Sequence, residues 1–88
     1  MSYNFKNKKI IISAGASGIG WATAKECLEK GAKVFVCDVD EKSINKLKKN
    51  PLNNKRLFSF YCDASNENDV INFFKEIKKK TQKIGNKL

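Results

Sequence analysis

An α/β fold with a parallel sheet is predicted for this chain by three observations. The first is the stretch Ser13 to Gly20, S-A-G-A-S-G-I-G, set between an apolar run (Ile10, Ile11, Ile12) and an apolar-periodic stretch from Ile19 to Leu28. That context reads strand, glycine turn, helix. The second is the recurrence of the same order along the chain, giving β-α-β-α-β-α and right-handed crossovers. The third is Asp38, which closes the second strand about 20 residues after Gly18, where an acidic residue complements a glycine turn in a βαβ unit.

The elements follow in order. The first strand spans Lys8 to Ser13, and its unbroken isoleucines suit a parallel strand buried on both faces. The first helix spans Gly18 to Lys30, packing through Ile19, Ala24, Cys27 and Leu28, with Gly31 as its stop. Strand two is Lys33–Cys37, closed by Asp38. Asp40 reads as the N-cap of helix two and Glu41 complements its dipole. Ile44 and Leu47 mark the buried face, and Asn50-Pro51 ends the helix. After a polar loop over Leu52–Arg56, strand three runs Leu57–Cys62. Ser65 is placed as the cap of helix three, whose apolar positions are Val70, Phe73, Phe74 and Ile77.

A helix opening on a glycine turn suits phosphate binding. Its first N–H groups have no intrahelical partner, and the macrodipole adds partial positive charge there. Gly15, Gly18 and Gly20 remove side-chain bulk, so a pyrophosphate can approach the backbone. A P-loop is excluded because Trp21 stands where lysine must follow the last glycine. The nucleophile elbow fails at Ile19, and the strict G-x-G-x-x-G pattern fails at Thr23.

The stretch resembles the T-G-x-x-x-G-x-G turn of the short-chain dehydrogenase/reductase family. Ser13 stands at the threonine, Gly18 and Gly20 match, and Ala14 replaces the first glycine. Alanine is expected to stay at negative φ, with Gly15 absorbing the turn. The segment C-D-A-S-N-E-N-D-V resembles the family's D-V-[ST] stretch, whose acid lies near the adenine ring. Right-handed crossovers moving in one direction put the first two helices on one face, and a third helix leading past strand one lies on the other. The expectation is a partial Rossmann fold: a three-stranded parallel sheet (order 3-2-1) with three helices. The resemblance implies cofactor contacts at Ser13, Gly15, Ser17, Gly18, Ile19, Gly20, Asp38, Asp63 and Ala64. Asp38 would accept hydrogen bonds from the adenosine ribose and repel a 2′-phosphate, so that NAD is preferred over NADP.

The resemblance covers Lys8 to Ile84 but only the N-terminal part of the family's domain. Members continue into a fourth strand, an N-N-A-G turn, a catalytic serine and a Tyr-x-x-x-Lys pair. Here Tyr3 and Tyr61 are followed four residues later by Asn7 and Ser65. No catalytic residue and no metal ligand is expected, and the chain alone is expected to be inert. The expectation is one dinucleotide-binding unit over residues 1–88, truncated before the catalytic segment, with 78–88 a basic, frayed tail. Two alternatives stay open: a stand-alone nucleotide-binding module without catalysis, and a truncated product without function. With no fourth strand, strand one is left as an edge. Marginal stability, with self-association or pairing with a further segment, is expected to follow.

Composition bounds the rest. Eighty-eight residues make one small domain, and 41% hydrophobic content supports a core rather than disorder. The net charge of +9 raises the question of nucleic acid. Yet the lysines are scattered through Lys6–Lys9, Lys46–Lys49 and Lys75–Lys87, without aromatic interleaving or a nucleic-acid motif, and read as solvated faces. Three cysteines and no histidine argue against a disulfide framework and common zinc sites. Cys27, Cys37 and Cys62 read as small buried hydrophobes. No secretory signal or membrane span is evident, so no membrane partner is expected and the cytoplasm is the expected compartment.

Overall fold

A computed structural model describes residues 4–14 and 16–82. Among these, the chain forms β1 (Lys9–Ser13), α1 (Gly18–Glu29), β2 (Lys33–Asp38), α2 (Glu41–Leu47), β3 (Leu57–Tyr61) and α3 (Glu67–Gln82). The strands are parallel in the order β1-β2-β3, which is the predicted 3-2-1 arrangement read from the other edge. Ser13 pairs with Cys37 and Asp38 with Tyr61, so the three strands end together along one rim.

β2 is the centre of the sheet because its apolar run can be covered on both faces. Val34, Phe35 and Val36 are fully buried. Val34 and Val36 face α1 and α2, joining Ala24, Leu28, Ile44, Leu47 and Leu57 in one core. Phe35 and Cys37 face the other way, where Phe58, Phe73 and Ile77 close a second core beneath α3. Phe35 stacks on its register partner Phe58 at 4.9 Å between ring centroids, and Phe60 meets Phe73 edge-on at 5.5 Å. The helices therefore divide between the faces as expected.

The edge departs from expectation. β1 is not buried on both faces: Ile10 and Ile12 are half-buried, and Ile11 is 46% exposed. Ile11 shares a face with its partner Phe35, but α3 packs over β2 and β3 and leaves β1 bare there. Helix three also buries a narrower stripe than its apolar pattern indicates. Phe73 and Ile77, one turn apart, are buried, while Phe74 is 51% exposed because it lies off that face.

Several boundaries differ as well. α2 stops at Leu47, where the Lys49 and Asn50 N–H groups turn back to Lys46 and Leu47 in a tight i→i−3 pattern, before Pro51 is reached. The cap of α3 is Asn66, not Ser65. Asn66 Oδ1 accepts from the Asp69 N–H at 3.0 Å, whereas the Ser65 hydroxyl turns to Asp63. α3 continues through Gln82, so the expected frayed tail is helical over 78–82, and residues 83–88 lie outside the described part. α1 ends as predicted on Gly31, at φ +98. There the Gly31 and Ala32 N–H groups close a Schellman pair onto Leu28 and Cys27.

Candidate functional site

The candidate site lies on the rim where the three strands end. After Ser13 the chain enters a turn whose backbone is unusual at two places. Ala14 sits at φ +54 and Gly18 at φ +61. The expectation that Ala14 keeps negative φ is thus corrected. The left-handed bend falls on Ala14 itself, at a cost of roughly 1–2 kcal/mol for a residue with a Cβ. Gly15 lies outside the described residues. Ala16 then turns its methyl into the core at 6% exposure, and Ser17 takes an extended conformation as the N-cap of α1.

The Ser17 side chain makes no capping hydrogen bond, and the first turn of α1 holds no acidic residue. The first intrahelical bond runs from the Trp21 N–H to the Ser17 carbonyl at 3.2 Å. The N–H groups of Gly18, Ile19 and Gly20 precede it, which is the geometry of an anion-binding helix start. A Cβ built on Gly18 would meet no atom within 4 Å, so the space over this glycine is open to a ligand. Ile19, expected to pack against the core, is instead 86% exposed. Gly20 is half-buried in the first turn.

Asp38 faces the turn from the neighbouring strand. Its Oδ2 accepts from the Ala16 N–H at 3.1 Å, and its Oδ1 accepts from the Asp40 N–H at 3.1 Å. A carboxylate offers about four lone-pair positions, so positions remain for ribose hydroxyls. Asp40 caps α2, accepting from the N–H groups of Lys42 and Ser43 and from the Ser43 hydroxyl. The Ser43 hydroxyl, followed by its N–H, holds the Asp40 carboxyl below the usual carboxylate range.

One strand further along, the Cys62 N–H donates to the Asp38 carbonyl at 3.0 Å, which brings Asp63 to the same rim. The Asp63 carboxylate closes on its own turn: Oδ1 accepts from the Ser65 N–H at 2.9 Å and from the Ser65 hydroxyl at 2.7 Å. The hydroxyl, then the N–H, lowers its pKa. The Asp63 N–H is taken by Asp69 Oδ2 at 3.0 Å. Ala64 is exposed in this turn. The rim therefore unites Ser13, Ser17, Gly18, Ile19, Gly20 and Asp38 around the turn, with Asp63 and Ala64 on the adjacent strand end.

A cleft of about 450 Å³ continues from the turn towards the C-terminal end of α2, between Ser17, Gly18 and Trp21 on one side and Lys46 and Lys49 on the other. The sequence reading did not assign these last three residues to the site. The lysines carry no spacing signal, and only the packing of α2 beside α1 brings them to the turn. The cysteines bear out their reading as buried thiols: Cys27, Cys37 and Cys62 are all buried and unpaired. Burial first, and then the adjoining Cys62 thiol, pushes the Cys37 thiol up to about 12, far from a reactive thiolate.

A parallel sheet whose glycine turn opens onto a helix start, with a carboxylate at the next strand end, has the form of a Rossmann-like unit. The family described as short chain dehydrogenase matches residues 8–86, and the chain belongs to that family. It is 40% identical over 67 residues to tropinone reductase-like 1 of Erythroxylum coca, covering 76% of this chain and 24% of that protein. A short-chain dehydrogenase/reductase of Brucella melitensis, described as a glucose/ribitol dehydrogenase, superposes with a TM-score of 0.81 at 21% identity, covering 91% of this chain and 34% of the other. A second family structure, from Burkholderia phymatum in complex with NAD, superposes with a TM-score of 0.68 at 24% identity, over 85% of this chain and 27% of that one. The chain spans about a quarter of the length of the curated relative.

Proposed function

We propose that this chain is the NAD-binding part of a short-chain oxidoreductase. The turn from Ser13 to Gly20 would receive the pyrophosphate, Asp38 the adenosine ribose, and Asp63 with Ala64 the adenine edge. The observation that carries this reading is the open space over Gly18, at the start of α1, facing the Asp38 carboxylate on the neighbouring strand. Bound there, the oxidised cofactor would supply the hydride acceptor by which the whole protein oxidises an alcohol, and the reduced cofactor the hydride donor for the reverse reduction of a carbonyl. The residues that perform that chemistry in the family have no counterpart among these 88, so the chain alone binds without turnover.

NAD is favoured over NADP because the Asp38 carboxylate would oppose a 2′-phosphate, and Val39 beside it brings no positive charge. The single tryptophan, Trp21, lines the cleft beside the turn and reports binding by its fluorescence. Titration with each dinucleotide should give saturable quenching at lower concentrations of NAD than of NADP. Equal affinities, or tighter NADP, would refute the preference, and no response to either would refute the function.

Ile11 on the bare edge of β1 supports a further part of the proposal, that the isolated chain self-associates along this edge. Light scattering should show concentration-dependent growth in mass. A monodisperse monomer would favour the stand-alone binding module instead. The three unpaired thiols fit a reducing, cytoplasmic setting. Among the described residues no helix is long and apolar enough to cross a membrane.

A further inference from the structure

Asp38 does more in this fold than present an acceptor to a ribose. Its two carboxylate oxygens join two loops that are 22 and 2 residues away in the chain, through Ala16 and Asp40 respectively. The Ala16 end of this bridge lies in the middle of the turn, where the Ala16 methyl is buried in the core and its N–H is held by Asp38. Ala14 is in a conformation that alanine avoids, Gly18 is in one that only glycine enters freely, and the N-cap Ser17 contributes no side-chain bond. Left to local preferences, such a turn would relax, and the N–H groups of Gly18, Ile19 and Gly20 would lose their common direction.

We infer that Asp38 is a positioning residue for the phosphate turn: by accepting the Ala16 N–H it fixes the helix-start donors towards the pyrophosphate, independently of any ribose contact. This rests on the reading of the turn as a dinucleotide site. It has a consequence opposite to that of a residue serving ribose selection alone. A pure selector, once removed, lowers affinity for NAD and relieves the repulsion of NADP. A positioning residue, once removed, lowers affinity for both dinucleotides and for any ligand that carries only their phosphates.

Inorganic pyrophosphate is the discriminating probe, because it has no ribose. Asp38→Ala and Asp38→Asn both remove one negative charge beside the turn, so the electrostatic change for this anion is the same in both and cancels when the two are compared. They differ in that asparagine keeps an oxygen that can accept the Ala16 N–H. The expected result is that Asp38→Ala binds pyrophosphate about tenfold more weakly than Asp38→Asn, the scale of one hydrogen bond to a fixed acceptor. Amide hydrogen exchange in the ligand-free chain gives a second readout. The Ala16 amide should be protected in the unmutated chain, exposed in Asp38→Ala and protected again in Asp38→Asn. Equal pyrophosphate affinity in the two variants, with Ala16 exchange the same in all three proteins, would overturn the inference. Because the exchange is read without ligand, failure of the unmutated chain to bind NAD would remove the proposed function while the role of Asp38 in the turn is still decided.

Discussion

Arg56 Nη1 donates to the Leu28 carbonyl at 2.8 Å, and to the Ala32 carbonyl at 3.2 Å, from the far side of the sheet order. The guanidinium thus caps the C-terminal end of α1, where carbonyls lack intrahelical partners and the dipole is negative. It also ties the entrance of β3 to that end. Arg56→Ala should cost about 1.5–3 kcal/mol, the range for hydrogen bonds to a charged donor. Chemical denaturation measures this, and an unchanged midpoint would show the contact to be without weight.

The turn supplies a second prediction. Ala14 at φ +54 is strained, and glycine at this position removes the Cβ clash, partly offset by the greater entropy it gives the unfolded chain. Ala14→Gly should therefore stabilise by about 0.5–1 kcal/mol, visible as a rise in Tm.

Gly18 behaves in the opposite sense. A Cβ there meets no neighbour, so the penalty for substitution comes from φ +61 and not from crowding in the free protein. Gly18→Val should lose both NAD binding and at least about 1 kcal/mol of stability. Loss of binding with full stability would mean that only ligand bulk matters there.

Ser59 is 3% exposed on β3, and its hydroxyl has no hydrogen-bond partner among the described residues. An unsatisfied buried hydroxyl costs about 1–3 kcal/mol against a satisfied one. Ser59→Ala should accordingly be neutral or stabilising, unlike most core substitutions. A clear fall in the denaturation midpoint would contradict the assignment of this hydroxyl as unpaired.

The pH dependence follows from the shifted groups. Cys37 is raised to about 12 in the folded chain, against an unfolded thiol at about 8.5. Its neutral form is thus favoured by folding, the contribution is complete below the unfolded value, and it is lost as pH rises through the alkaline range. Asp40 and Asp63 are lowered by Ser43 and Ser65, so their contributions are present above about pH 4 and fade as pH falls through the folded values. Thermal denaturation from acid to alkali should show loss at both ends. Cys37→Ala should flatten the alkaline limb, and Asp40→Asn the acid limb.

Most of the architecture was legible in local signals. The valine and phenylalanine run of β2, Gly31 after α1 and Asp40 before α2 each act within a few residues, and strand order followed from the handedness of the crossovers. The placement of the glycine turn against Asp38 was also legible, since both lie at strand ends that parallel pairing brings to one rim.

What the sequence by itself determined was thus the order, direction and faces of the elements, together with family membership through the motif. Only the tertiary structure decided which apolar residues are covered. Ile11 and Phe74 carry the same hydrophobicity as buried neighbours, yet α3 lies over β2 and β3 and leaves Ile11 to solvent, and Phe74 lies off the face by which α3 packs. It also decided that Ala14 takes a left-handed conformation, that Arg56 caps α1, and that Lys46 and Lys49 border the cleft. Each of these joins segments distant in the chain. Local propensity reports what a residue prefers, whereas a hydrogen bond such as Ala16 to Asp38 depends on where packing has already placed both partners.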